Sequence, residues 1–78
     1  MRFTRSQTAD LADSLDKAAD DKSEAARSGD AHAANPANSD LSRRQAGAAA
    51  VILRGQASDM RADAAAIRDG VNPTDLGY

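Results

Sequence analysis

The stretch that decides the fold runs from Ala46 to Arg68 and reads AGAAAVILRGQASDMRADAAAIR. One set of residues recurs in it every seven positions, and a second set follows four positions after each member of the first. A repeat of this kind, with small residues alternating with large ones, is typical of a helix that packs along a seam against another helix. The seam consists of Ala46, Leu53, Met60 and Ile67, followed by Ala50, Ala57, Ala64 and Val71.

The signals on either side of this repeat predict a helix over about residues 39–69. Asn38, Ser39 or Asp40 can cap its beginning, because their short polar side chains accept hydrogen bonds from free backbone N–H groups. Gly70 ends it, with a proline just beyond. Residues 70–78 are therefore expected to be a non-helical tail.

A second, earlier helix is predicted over about residues 4–28. Thr4 and Gln7 have the spacing of a capping box, and Gly29 is the type of residue that commonly follows the last turn of a helix. Apolar or small residues recur three or four positions apart along one side of this segment, with charged residues opposite. The stripe consists of Thr8, Leu11, Leu15, Ala18, Lys22 and Ala25, and a parallel row consists of Ala12, Ala19 and Ala26.

Residues 29–38 contain Pro36, which disfavours helix at the residue before it, and they are predicted to connect the two helices. Helices joined by such a connection tend to lie antiparallel. We therefore expect an all-α fold, a single two-helix hairpin domain over residues 1–78. In the expected register Leu11 faces Met60 and Leu15 faces Leu53. These four residues and Ile67 form the expected core, and Phe3 comes near Ile67 and Val71.

The large apolar residues are too few to order a chain of this size comfortably by themselves. Hydrophobic residues make up 41% of the 78, but most of them are alanine. Burying a Leu or Ile contributes ~1.5–3 kcal/mol, whereas ordering each residue costs ~1.5 kcal/mol. There is no cysteine for a disulfide and only one histidine, His32. The remaining ways to stabilise the fold are association with another molecule and very good helix packing. Alanine, the best helix former, partly compensates for the few large residues.

A second apolar line on the later helix lies away from the seam. It contains Leu41, Ala48 and Ile52, with Val51 on yet another side. One partner helix cannot cover both lines, so these residues are the predicted partner interface. A homodimer that forms a four-helix bundle is the simplest arrangement. The alternative is that residues 29–38 cover Leu41 and Ile52.

An arginine row runs along one edge of the later helix and contains Arg43, Arg54, Arg61 and Arg68. Arginine binds phosphates well, so the row is a candidate site for an anion, a nucleic-acid backbone or a protein partner. No aromatic residue alternates with these arginines to stack on bases. The favoured interpretation is that they flank the seam and pair with carboxylates of the earlier helix, such as Asp16.

Three further features have a functional and a structural interpretation. Leu76 and Tyr78 in the tail are candidates for docking in a partner groove, or else they fray or fold back on the hairpin. The acidic face of the earlier helix, including Asp13, Asp20 and Glu24, is a candidate for imitating nucleic acid or docking a basic partner. It is interpreted as solvated because Lys17 and Lys22 interrupt it. His32 is interpreted as a solvated side chain rather than a ligand or general base.

These observations predict a small non-catalytic protein–protein interaction module, an adaptor, regulator or inhibitor that acts through helical surfaces. There is no Cys and a single His, and Ser and Thr lie mainly at caps and exposed helix positions. Because no glycine-rich phosphate loop occurs either, we expect no enzymatic activity and no cofactor or metal. The expected partners are a second copy, another protein, or both. One alternative is a nucleic-acid-binding regulator that presents the arginine row on a helical-hairpin dimer. The other is a structural component of a larger assembly, such as a viral one.

Composition adds two expectations about context. No apolar run is long enough to span a membrane and no secretory signal is evident, so a cytoplasmic location is expected. Arginine outnumbers lysine and alanine is abundant, which is typical of GC-rich genomes and their phages or plasmids.

Overall fold

The computed structural model describes residues 3–78 and confirms the all-α fold within them. Helix α1 spans Arg5–Ala34, helix α2 spans Asp40–Arg68, and a short 3₁₀ helix spans Pro73–Leu76. The two long helices pack side by side in opposite directions. The molecule is a rod with extents of 51 × 17 × 17 Å.

The predicted capping box at the beginning of α1 is confirmed. The Thr4 hydroxyl accepts a hydrogen bond from the Gln7 backbone N–H at 3.1 Å, and the Gln7 side chain accepts one from the Thr4 N–H at 2.9 Å. At the beginning of α2, Ser39 is the capping residue, and its hydroxyl accepts from the Ser42 N–H at 3.2 Å. Both helices therefore begin where their side chains can satisfy otherwise free N–H groups.

The predicted end of the first helix is wrong. Instead of stopping at Gly29, α1 continues to Ala34, and the connection is reduced to residues 35–39. The residues after Gly29 form helix readily, and the first strong stop is Asn35, which precedes Pro36 and has an extended backbone. The loop expected over residues 29–38 is therefore mostly the last turns of α1.

This extension also shifts the register of the hairpin from the expected one. Leu15 packs in a cluster with Ala12, Ala64 and Ile67, whereas Leu53, its expected neighbour, lies outside that cluster. The connection between the helices lies later in the sequence than predicted, at residues 35–39. Each residue of α1 therefore faces a residue of α2 that is later in the sequence than the expected one. Leu11 and Met60 both border the cluster, but Asp13 pairs with Arg68 and Asp20 with Arg61, so Leu11 does not lie opposite Met60 as expected.

The core consists mainly of alanine methyl groups. On α1 the centre of the buried side is the row Ala12, Ala19 and Ala26. Of the predicted stripe, Leu15 is buried and Ala25 is exposed, and the half-buried members are Thr8, Leu11, Ala18 and Lys22. On α2 the seam is confirmed: Ala50, Ala57, Ala64 and Ile67 are buried, and Ala46, Leu53 and Met60 are half-buried. Val71 lies beyond the end of α2 and is exposed.

The tail folds back on the hairpin and is not wholly irregular. Asn72 caps the 3₁₀ helix by accepting a hydrogen bond from the Thr74 N–H at 3.0 Å. Pro73 is fully buried, and Leu76 packs against the Leu15–Ile67 cluster. Gly77, with a φ of 93°, ends the turn in the left-handed conformation that glycine accepts easily.

Candidate interaction surface

The predicted interface residues form an exposed apolar surface on the N-terminal half of α2. Leu41 and Val51 are each 67% exposed, and Ile52 is 61% exposed. Ala48 lies between them and is also exposed. With 3.6 residues per helical turn, these four residues lie on the side of α2 away from the buried seam, spread over roughly 100° of its surface. We call Leu41, Ala48, Val51 and Ile52 the outer face.

The alternative that the connection covers the outer face is wrong. Leu41 and Ile52 are exposed although every residue from 29 to 38 is in place. Most of that segment is helical and packs on the seam side of α2, where Gly29 lies close to Ala46 and Ala50. The remaining residues of the segment, 35–38, are too few to reach around α2 to its far side.

Two charged residues and a glycine lie along the same side of α2 as the outer face. Arg44 and Asp59 are exposed, and neither takes part in an ion pair within residues 3–78. Gly55 lies between them, and a Cβ added to it would meet no atom within 4 Å. Sequence reasoning had missed these three residues, since none of them is apolar enough to extend the predicted line.

The arginine row lies against α1 rather than facing away from the hairpin. Arg54 pairs with Asp30, and Arg61 lies 3.2 Å from Asp20. Arg61 also donates a hydrogen bond to the Ser23 hydroxyl at 2.9 Å. These contacts agree with the interpretation that the arginines flank the seam.

The two ends of the arginine row are also engaged within the chain. Arg68 contacts Asp13 at 2.8 Å and Asp16 at 2.5 Å, which includes the pair expected from the sequence. Hydrogen bonds to Asp16 and then to Asp13 raise the pKa of Arg68. Arg43 donates through Nε to the Ala33 carbonyl at 2.7 Å, where it satisfies a carbonyl near the end of α1.

Part of the acidic face of α1 is therefore used in ion pairs within the hairpin. Asp13 and Asp20, two of its expected members, bind arginines of α2. Glu24 and Lys17 remain exposed, as the solvated interpretation expected. The surface left on α1 carries charges of both signs and offers no uniform field to a basic partner.

The tail residues proposed for partner docking make contacts within the hairpin. The Tyr78 hydroxyl donates a hydrogen bond to Asp63 at 2.8 Å, and Leu76 is half-buried. The hydrogen bond to Asp63, followed by partial burial, raises the pKa of the Tyr78 hydroxyl.

A shallow cleft at this end of the rod is lined by Phe3, Ile67 and Val71, which brings together the three residues expected there.

His32 lies in the last turn of α1, not in a loop. Its Nε2 atom is 2.7 Å from the Ser42 hydroxyl, so it connects the end of α1 to the beginning of α2. Asn38 adds to this connection by donating to the His32 carbonyl at 3.0 Å. No cluster of three or more His, Cys, Asp and Glu side chains suited to a metal occurs among residues 3–78. The geometry gives His32 a structural contact and no evident chemistry.

Neither helix in the described part of the chain is long and apolar enough to cross a membrane. No protein-family model, curated protein or solved structure matches the chain. Its function is therefore inferred from its own geometry.

Proposed function

We propose that the chain is a small non-catalytic protein–protein interaction module, an adaptor, regulator or inhibitor that binds its partner through the outer face. The observation that carries this proposal is the exposure of Leu41, Val51 and Ile52 on one side of a regular helix. Single exposed apolar side chains are common on protein surfaces, but a contiguous apolar patch often marks a binding site.

The composition of the core supports this proposal. Of the eight buried hydrophobic residues in the core of residues 3–78, six are alanine, and the large ones are Leu15 and Ile67. More large aliphatic side chains therefore lie on the outer face than in the buried core. Completing the burial of each exposed Leu, Val or Ile contributes roughly 1–2 kcal/mol, so a partner on this face would add substantially to a marginal fold.

The shape of the surface suggests how the partner binds. The outer face is a straight helical surface with apolar residues at positions 41, 48, 51 and 52. Spacings of this kind suit packing against another helix or insertion into an apolar groove. No deep pocket is needed, and binding depends on a few aliphatic anchors at its centre.

The contacts of the arginine row do not favour the nucleic-acid alternative. Arg54, Arg61 and Arg68 contact carboxylates of α1, so binding phosphates through them would require those contacts to be broken. A backbone-binding surface needs cations that are free to displace counterions. We therefore keep the interaction module as the proposed function.

Two matched lysine substitutions test the proposal. Ala48 and Ala25 are both exposed helical alanines, one on the outer face and one on α1. Ala48→Lys places a charge in the middle of the outer face and is expected to abolish the association of the chain with its partner. Ala25→Lys is expected to leave association unchanged, and both variants should keep the helical circular dichroism of the native chain.

Association is measured in two ways, by the mass of the purified chain in sedimentation and by the proteins captured from host cells. Ile52→Lys serves as a second disruptive variant. If the native chain, Ala48→Lys and Ala25→Lys have the same mass and capture the same proteins, the outer face is not the binding surface and the proposal is wrong.

A further inference from the structure

The side of α2 that carries the outer face is nearly symmetric in sequence about the bond between Val51 and Ile52, except that Leu41 corresponds to Ala62. Ala48 precedes Val51 by three positions, and Gly55 follows Ile52 by three. Arg44 precedes Val51 by seven positions, and Asp59 follows Ile52 by seven. If two such helices lie antiparallel about a two-fold axis at this centre, each residue of a pair faces the other member of that pair in the second copy.

The charges favour this antiparallel arrangement over a parallel one. With the axis at this centre, Arg44 of each copy lies level with Asp59 of the other, and both residues lack an ion-pair partner within residues 3–78. In a parallel pair of helices the same residues would meet their own copies, so that like charges face each other. The sequence of the outer face is therefore complementary to itself in one direction only.

Gly55 gives an independent reason to expect a close neighbour. Glycine in a helix interior is unfavourable relative to alanine, yet Gly55 has a negative φ and open space where a Cβ would lie. No contact inside the hairpin requires the missing side chain. In the antiparallel arrangement Gly55 meets Ala48 of the second copy, and two small residues allow the helix backbones to approach closely while Val51 and Ile52 pack on either side.

We propose that the occupant of the outer face is a second copy of this chain, packed antiparallel α2 to α2 with Arg44 opposite Asp59. This inference rests on the proposed function and specifies its partner. Because the outer face points away from the seam, the dimer is a single layer of four helices, with α1 outermost on both sides. It differs from the compact four-helix bundle expected from the sequence, in which each helix would contact two neighbours at adjacent faces.

A charge-exchange cycle on the purified chain tests the arrangement, with the dimer dissociation constant measured by sedimentation equilibrium. Arg44→Asp alone and Asp59→Arg alone each place like charges opposite one another at two symmetric positions. Each is expected to weaken the dimer about tenfold at low salt. The double variant Arg44→Asp/Asp59→Arg restores both pairs with reversed signs, and its affinity is expected to return close to the native value.

Two control variants carry the same charge changes on the exposed surface of α1, Arg27→Asp and Asp21→Arg. They are expected to leave the dimer unchanged. A chain that stays monomeric, or a dimer whose affinity does not recover in the double variant, overturns the antiparallel dimer. If the native chain is monomeric but Ala48→Lys still removes a different bound protein, the proposed function survives and only the identity of the partner is wrong.

Discussion

At the scale of single residues, Gly29 shows how local sequence signals and tertiary packing compete. A glycine after a run of helix formers commonly ends a helix, and the sequence predicted that here. In the structure Gly29 is inside α1, where a Cβ would lie 3.0 Å from the Ala46 carbonyl oxygen and 3.4 Å from the Ala50 Cβ. Its small size lets α1 approach α2 closely, and only the positions of Ala46 and Ala50 across the interface reveal this role.

Two glycine-to-alanine substitutions separate helix propensity from this close approach. At Gly47 an added Cβ would make an ordinary contact at 3.8 Å with Ala33. Gly47→Ala is therefore expected to raise the free energy of unfolding by about 0.5–1 kcal/mol through helix propensity. Gly29→Ala is expected to gain less, or to lose stability, because the new methyl group crowds the Ala46 carbonyl.

The free energy of unfolding of both variants is measured by urea titration. Gly29→Leu extends the comparison, and overpacking at this contact is expected to cost about 1–3 kcal/mol. Equal stabilisation by alanine at positions 29 and 47 would show that α1 and α2 are not in close contact at Gly29.

At the scale of elements, the sequence predicted the packing pattern and the beginning of the helices better than the residue at which α1 ends. The heptad seam of α2 and the Thr4 capping box depend on patterns within one segment, and both are confirmed. The end of α1 depends on the balance between Gly29 and the helix formers that follow it, which a local pattern does not weigh. The hairpin register depended on that end, so Leu15 was paired with Leu53 rather than with Ile67.

The sequence predicted the residues of the outer face and their direction, but not whether they are exposed. Counting residues along α2 was sufficient to place Leu41, Ala48 and Ile52 away from the seam. Whether residues 29–38 would cover them depended on the length of α1, and the longer helix leaves them exposed. Arg44 and Asp59 lacked any local signal, since their importance depends on a pairing between positions fifteen residues apart.

The tail contacts α2 through the hydrogen bond from Tyr78 to Asp63, and this contact is expected to depend on pH. The hydrogen bond to Asp63 raises the pKa of the Tyr78 hydroxyl above its ordinary value of about 10. A group with a raised pKa in the folded state stabilises the fold below its ordinary pKa. That stabilisation is lost as the pH rises through the raised value, so we expect the Tyr78–Asp63 hydrogen bond to be lost only in strongly alkaline solution.

Because Tyr78 is the single tyrosine and there is no tryptophan, the absorbance of tyrosinate reports this residue alone. Asp63→Asn removes the negative charge that opposes ionisation, and it is expected to lower the pKa of Tyr78 towards the ordinary value. An unchanged titration curve in Asp63→Asn would mean that Tyr78 does not bind Asp63 in solution.

At the scale of the whole molecule, the core of the hairpin is thin for a lone chain. Two long helices meet mainly through alanine, and the surface pairs between the arginine row and α1 are exposed, which limits each to a small contribution. The aliphatic side chains that would strengthen the fold are on the outer face. Folding and association are therefore expected to be coupled in this chain.

The most direct test is urea unfolding of the purified chain, followed by helical circular dichroism over a roughly hundredfold range of protein concentration. Coupled folding and association predict that the midpoint of unfolding rises as the concentration rises, and that Ala48→Lys lowers the midpoint and removes the concentration dependence. A cooperative transition with the same midpoint at every concentration, in the native chain and in Ala48→Lys alike, would contradict the claim that the outer face needs a partner.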